Sequence, residues 1–92
     1  MIKFLVHDLA DMVGVAVADI KAGEAVTGKV QDSDKTIEIQ SISDIPLGHK
    51  IALKDIAAGE RVIKYHVPIG KTVQAIKKGE HVHTHNLKTE RW

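Results

Sequence analysis

One phrase returns three times along the chain: DIKAGEAV at 19–26, DIAAGERV at 55–62 and AIKKGEHV at 75–82. Each copy has an isoleucine, two small or basic residues, Gly-Glu, one variable residue and a valine. The isoleucine predicts an anchor that ties a single turn of helix or a tight turn to a core. The glycine supplies the positive φ that ends the turn. The valine then opens the next strand facing inward. The copies are 36 and 20 residues apart, so the chain is not a uniform solenoid. It is one compact fold that reuses a corner.

Between the corners the hydrophobic pattern alternates with period two, the signature of half-buried strands. IKFLVH (2–7), VGVAV (13–17), KTIEIQSI (35–42), HKIAL (49–53), ERVIKY (60–65), KTVQAI (71–76) and EHVHTHN (80–86) all read this way. Gly14, Gly28, Gly48, Gly59, Gly70 and Gly79, with Pro46 and Pro68, read as turn residues between them. Nothing sustains a helical period. The expectation is a mostly-β domain of short strands, tight glycine turns and one-turn helical corners.

Ninety-two residues make one domain. With one Phe, one Tyr and one Trp, the core must be aliphatic. There is no cysteine, which removes disulfides, thiolate nucleophiles and Cys-ligated metal or iron–sulfur sites. The apolar stretch near the N-terminus is broken by Asp8 and Asp11, so a signal peptide is not expected, and no run reaches membrane-spanning length. A cytoplasmic protein is the expectation. Residues 1–46 carry four lysines and eight acids (−4), and residues 47–92 carry nine Lys or Arg and four acids (+5). The basic half suits an anionic ligand or an acidic partner. Nucleic acid is not indicated, because stacking aromatics and a recognition helix are both missing from the pattern.

Chemistry concentrates at GEHVHTHN (79–86), where His81, His83 and His85 fall on alternate positions. On a strand they would share one face, opposite Val82. Neighbouring pairs would lie about 7 Å apart at Cα, close enough for two imidazoles to converge on one ion. The outer pair, about 13–14 Å apart, is too far. His83 and His85 are therefore the candidate metal ligands, His81 is a weaker one, and Asn86 is an amide donor or acceptor beside them. A catalytic metal needs a third ligand, and His7, His49, His66 or a partner chain can supply it.

The string from Gly48 to Asn86 resembles a known family. Gly48-His49-Lys50, Ala52-Leu53, Val62-Ile63-Lys64-Tyr65, Ile69-Gly70 and Gly79 through Asn86 are similar to the SAF-type (β-clip) domain of altronate and galactarate dehydratases and of sulfolactate sulfo-lyases. FLVHD near the start and HNLKTERW at the end look nearest to the sulfo-lyase branch. The family usually has glycine where this chain has His66, a departure to which no role is assigned.

The resemblance implies an SAF domain over 1–86 with a tail over 87–92. It implies elimination of sulfite or water from an anionic hydroxy acid such as (2R)-sulfolactate or altronate. A divalent metal, iron or another, would stabilise the enediolate-like charge. A separate large lyase subunit would carry the rest of the active site, leaving this chain inactive alone. His49 and Lys50 become candidates to meet the substrate carboxylate, and His7, beside Asp8, is a weaker one. The general base is not assigned. The alternative is a free-standing SAF carbohydrate-binding module without catalysis.

Overall fold

The computed structural model describes residues 2–7, 11–31, 33–64, 67–83 and 85–88. Among them there is no helix. Nine strands follow one another: β1 (Ile2–Val6), β2 (Val13–Ala16), β3 (Ala25–Val30), β4 (Thr36–Gln40), β5 (Lys50–Ala52), β6 (Arg61–Lys64), β7 (Val67–Thr72), β8 (His81–Val82) and β9 (Leu87–Lys88). Six form one sheet in the order β4-β3-β1-β2-β5-β8, and β6-β7-β9 form a second. All the strand pairs are antiparallel except β1 with β3.

The larger sheet curls until its two edges meet. The Ile42 amide, just past β4, donates to the Gly79 carbonyl, just before β8 (3.0 Å). Strand alternation divides the buried side chains into two aliphatic clusters. One holds Phe4, Val6, Ala16, Ile20, Val26, Val30, Ile39, Ile45 and Ile51. The other holds Met12, Val13, Ala52, Ile56, Val62, Ile76 and Val82. Strands β2 and β5 serve both: Ala16 and Ile51 face the first cluster, Val13 and Ala52 the second.

The corners explain why each cluster closes. Ile20 and Ile45 exchange backbone hydrogen bonds (2.9 and 2.8 Å), as do Ile56 and Ile76 (2.8 Å each), and all four side chains are buried. The corner at 44–49, Asp-Ile-Pro-Leu-Gly-His, is thus a fourth copy of the device. Each corner is a single turn closed by an i+3 amide: Glu24 to Lys21, His49 to Pro46, Glu60 to Ala57 and Glu80 to Lys77. Each contains a glycine with φ of 80–88°. Acidic side chains tie paired corners together. Asp19 accepts from the Leu47 amide, Asp44 from the Ala22 amide and Asp55 from the Lys78 amide (2.9, 2.9 and 2.8 Å).

Several expectations change. Of the two readings of the corners, the structure has the tight turn. Gly14, Gly28 and Gly70 lie within strands; a Cβ at Gly28 would enter the Phe4 ring, and one at Gly14 would crowd it at 2.9 Å. The expected strand at 71–76 runs instead over 67–72, because Ile76 is needed for the bridge to Ile56. The expected strand at 80–86 stops at Val82. Leu87 and Lys88, expected in a tail, pair with Thr72 and Lys71 of β7. Tyr65 and His66 lie outside the described residues, as do Asp8 and 89–92. No helix among the described residues is long and apolar enough to cross a membrane.

Candidate functional site

The β5–β8 pairing builds the site. Lys50 lies opposite Val82 and Ile51 opposite His81, so the next position on each strand sets His49 against His83. Val82 turns into the second core, fully buried, as the repeat predicts. His81 and His83 therefore leave the sheet on the opposite side, where His49 joins them.

The three rings form a stack. His49 and His83 centroids are 4.0 Å apart with 21° between planes. His49 and His81 are 5.0 Å apart at 27°, with His49 Nδ1 and His81 Nε2 in hydrogen-bond contact at 2.8 Å. One ligand atom from each of His49, His81 and His83 lies within 4.8 Å of the others. His85 stands outside this triplet, its ring tilted 39° to His81 at 5.1 Å. Of the expected pair, His83 belongs to the close triplet with His49 and His81, and His85 lies beside His81. The strand ends at Val82, and a turn at 85–86 brings the Asn86 and Leu87 amides to the His83 carbonyl.

Asn86 makes that turn. It is fully buried, and its amide is committed to the segment it closes. Its Oδ1 accepts from the His83 amide (3.0 Å), and its Nδ2 donates to the His81 carbonyl (2.8 Å) and, longer, to Glu80 Oε2 (3.4 Å). Asparagine commonly competes with the sheet ladder in this way. Asn86, the expected amide beside the histidines, thus clamps the histidine loop. His7 lies just beyond β1, its backbone amide bonded to Asp11 Oδ2 (3.1 Å), outside the triplet.

Electrostatics favour the neutral forms of His81 and His83. Partial burial, then the charges of His49, His85 and His83, hold the His81 imidazole below the ordinary histidine range, with Glu80 opposing. Desolvation by its neighbours, then His49, Lys50 and His85, does the same for His83. A neutral imidazole is the form that binds a metal.

The donor set fits a transition-metal ion. With bonds of about 2.0–2.2 Å, adjacent nitrogens on one ion sit about 3–3.5 Å apart. His49 Nδ1 and His81 Nε2, at 2.8 Å, lie just inside that spacing, and a ligand atom of His83 lies within 4.8 Å of both residues' ligand atoms. Three imidazoles suit zinc, iron, nickel or copper and leave coordination positions open.

A curled β-domain with a histidine cluster at the meeting of two strands now has a family. Residues 2–90 match the altronate/galactarate dehydratase SAF domain, and the chain belongs to that family. Its relatives divide into two architectures. It is 52% identical over 92 residues to the (2R)-sulfolactate sulfo-lyase subunit alpha of Chromohalobacter salexigens, covering 99% of this chain and 98% of that one. It is 51% identical over 63 residues to the subunit of the same name from Paracoccus pantotrophus, covering 68% of this chain and 94% of that one. The altronate dehydratase of Escherichia coli is 43% identical over 84 residues, 91% of this chain but only 16% of the larger enzyme.

Of the candidates His7, His49 and His66 for a third ligand, His49 is the one that the described residues place with His81 and His83, a choice the histidine run alone does not make. The signal was available: aligning DIPLGH (44–49) with the three repeated phrases sets His49 where the others carry Glu24, Glu60 and Glu80.

Proposed function

We propose that this chain is the small subunit of a two-component lyase. It would eliminate sulfite from (2R)-sulfolactate, or water from a related sugar acid, at a site completed by a large subunit. The carrying observation is the His49–His81–His83 cluster on a chain that aligns end to end with a named sulfo-lyase subunit. In the reaction the Cα–H bond breaks, its proton passes to a base, and the electron pair expels the β-substituent as sulfite or hydroxide.

His49, His81 and His83 would hold a divalent metal ion. Bound there, the ion supplies Lewis-acid stabilisation of the charge that develops on the substrate carboxylate. His81 and His83 contribute imidazoles whose neutral form is favoured, and both rings stack on His49. Lys50, whose charge acts on His83, supplies a cation to the carboxylate or sulfonate of the substrate. His85 borders the cluster from the side of His81.

Co-expression with the large subunit and an elimination assay on sulfolactate and altronate test the reading. Activity is expected in the complex and is expected to fall by about 10²-fold or more in H81A or H83A, the scale for losing a group that organises transition-state charge. Full activity in H49A, H81A and H83A alike would refute a role for the cluster.

A further inference from the structure

We infer that Asn86 is the positioning residue of this site. It sets the spacing of His81 and His83 through their backbone and touches neither substrate nor metal. The inference rests on the reading of the triplet as a metal site. Asn86 is the last residue of the histidine run and is fully buried, and every polar atom of its side chain points back into residues 80–83. The two strongest contacts fall on the two histidines that share the segment: it donates to the carbonyl of His81 and accepts from the amide of His83. The backbone joins in. The His83 carbonyl accepts from the amides of both Asn86 (3.1 Å) and Leu87 (2.9 Å), and the Asn86 carbonyl accepts from Val73 (3.0 Å).

One side chain thus bridges both ligand-bearing residues, and Val73, just past β7, holds its own backbone. Without it, Val82 would remain anchored in the core while residue 83 lost the contact that bends it. His83 would leave the stack with His49, which among the described residues has no backbone hydrogen bond to the loop beyond Val82. Glu80 completes the arrangement. Its Oε1 accepts the corner amide of Lys77 (3.0 Å), and its Oε2 lies at the Asn86 amide.

The test uses the full chain and Co²⁺ alone, followed by visible absorption and by titration near neutral pH. N86A is expected to weaken Co²⁺ binding by about tenfold or more, the usual scale for residues that orient metal ligands, and to alter the d–d bands of what does bind. N86D keeps the shape and the acceptor for the His83 amide but loses the donor to His81. It is expected to weaken binding less than N86A while also shifting the bands. V30A, a cavity in the other core cluster, controls for destabilisation and is expected to bind Co²⁺ within about twofold of the parent. If the parent chain binds no Co²⁺, the metal reading fails and the inference fails with it. If the parent binds and N86A matches it in affinity and spectrum, the metal reading stands and the positioning role is overturned. If V30A loses affinity as N86A does, general stability explains the effect and the inference is again overturned. If neither Asn86 variant folds, Asn86 belongs to the fold and not to the site, which also overturns it.

Discussion

Gly79 and Gly59 hold the same place in two copies of the repeated corner, with φ of 87° and 80°. Alanine in either pays the left-handed penalty of about 1–2 kcal/mol. Their surroundings differ. A Cβ on Gly59 meets nothing within 4 Å, whereas one on Gly79 would strike the backbone carbonyl of Gln40 and touch the Ile39 side chain at 3.5 Å. Gln40 of β4 cannot swing away, because it is paired with Ala25 of β3. The corner itself must move, at a further cost of about 1–3 kcal/mol, the range for forcing extra volume into a packed site. G79A is therefore expected to be less stable than G59A by about 1–3 kcal/mol. Urea denaturation at equal m-values measures it. The seam between the two edges of the large sheet lies here, so G79A is also expected to disturb the His81 and His83 resonances while G59A leaves them in place. Midpoints that agree to within about 0.5 kcal/mol would refute the claim that the seam is tightly packed.

G28A pushes a methyl into the Phe4 ring and is expected to cost about 3 kcal/mol or more; adding F4L to it should recover part of that loss in the same urea experiment. In the metal-free chain, the His81 and His83 C2-proton titrations followed by NMR should have midpoints below 6.5. Because the folded chain then binds fewer protons than the unfolded chain below that value, stability should rise with pH through the window just under 6.5 and fall on acidification; unchanged stability between pH 7 and 5 would contradict the shifts. In the corner at 44–49, P46A restores a backbone donor, so P46A/H49E should be more stable than P46A/H49A by up to about 1 kcal/mol; equal stabilities would show that this corner does not use a side-chain cap.

The β character, the anchoring isoleucines and the inward Val82 were all legible, because each rests on local periodicity and one turn residue. What escaped was non-local. That β1 lies parallel to β3 depends on pairing across the whole sheet, and no short window carries it. Gly14 and Gly28 look like turn glycines in sequence, yet they sit mid-strand to make room for the one Phe of the chain. The histidines of 81–85 were read as one strand face because alternation was the strongest signal available. A single asparagine outweighed it, since its amide satisfies backbone groups that a continued strand would have paired with a neighbour.

The fourth corner shows how a structural repeat yields a functional group. In three corners a glutamate side chain caps the amide three residues before it: Glu24 caps Lys21, Glu60 caps Ala57 and Glu80 caps Lys77, each at 3.0 Å. The residue after each Gly is thereby committed to its own turn. At 44–49 the residue to be capped is Pro46, which has no amide hydrogen. The corner keeps its isoleucine, its left-handed glycine and its closing bond from His49 to Pro46. Nothing in the turn then demands an acceptor at position 49. That position lies one step before β5, opposite His83, so a side chain released from capping reaches the other two histidines. Proline and histidine are thus one change in two places. The first removes the need for the cap, and the second uses the freed position.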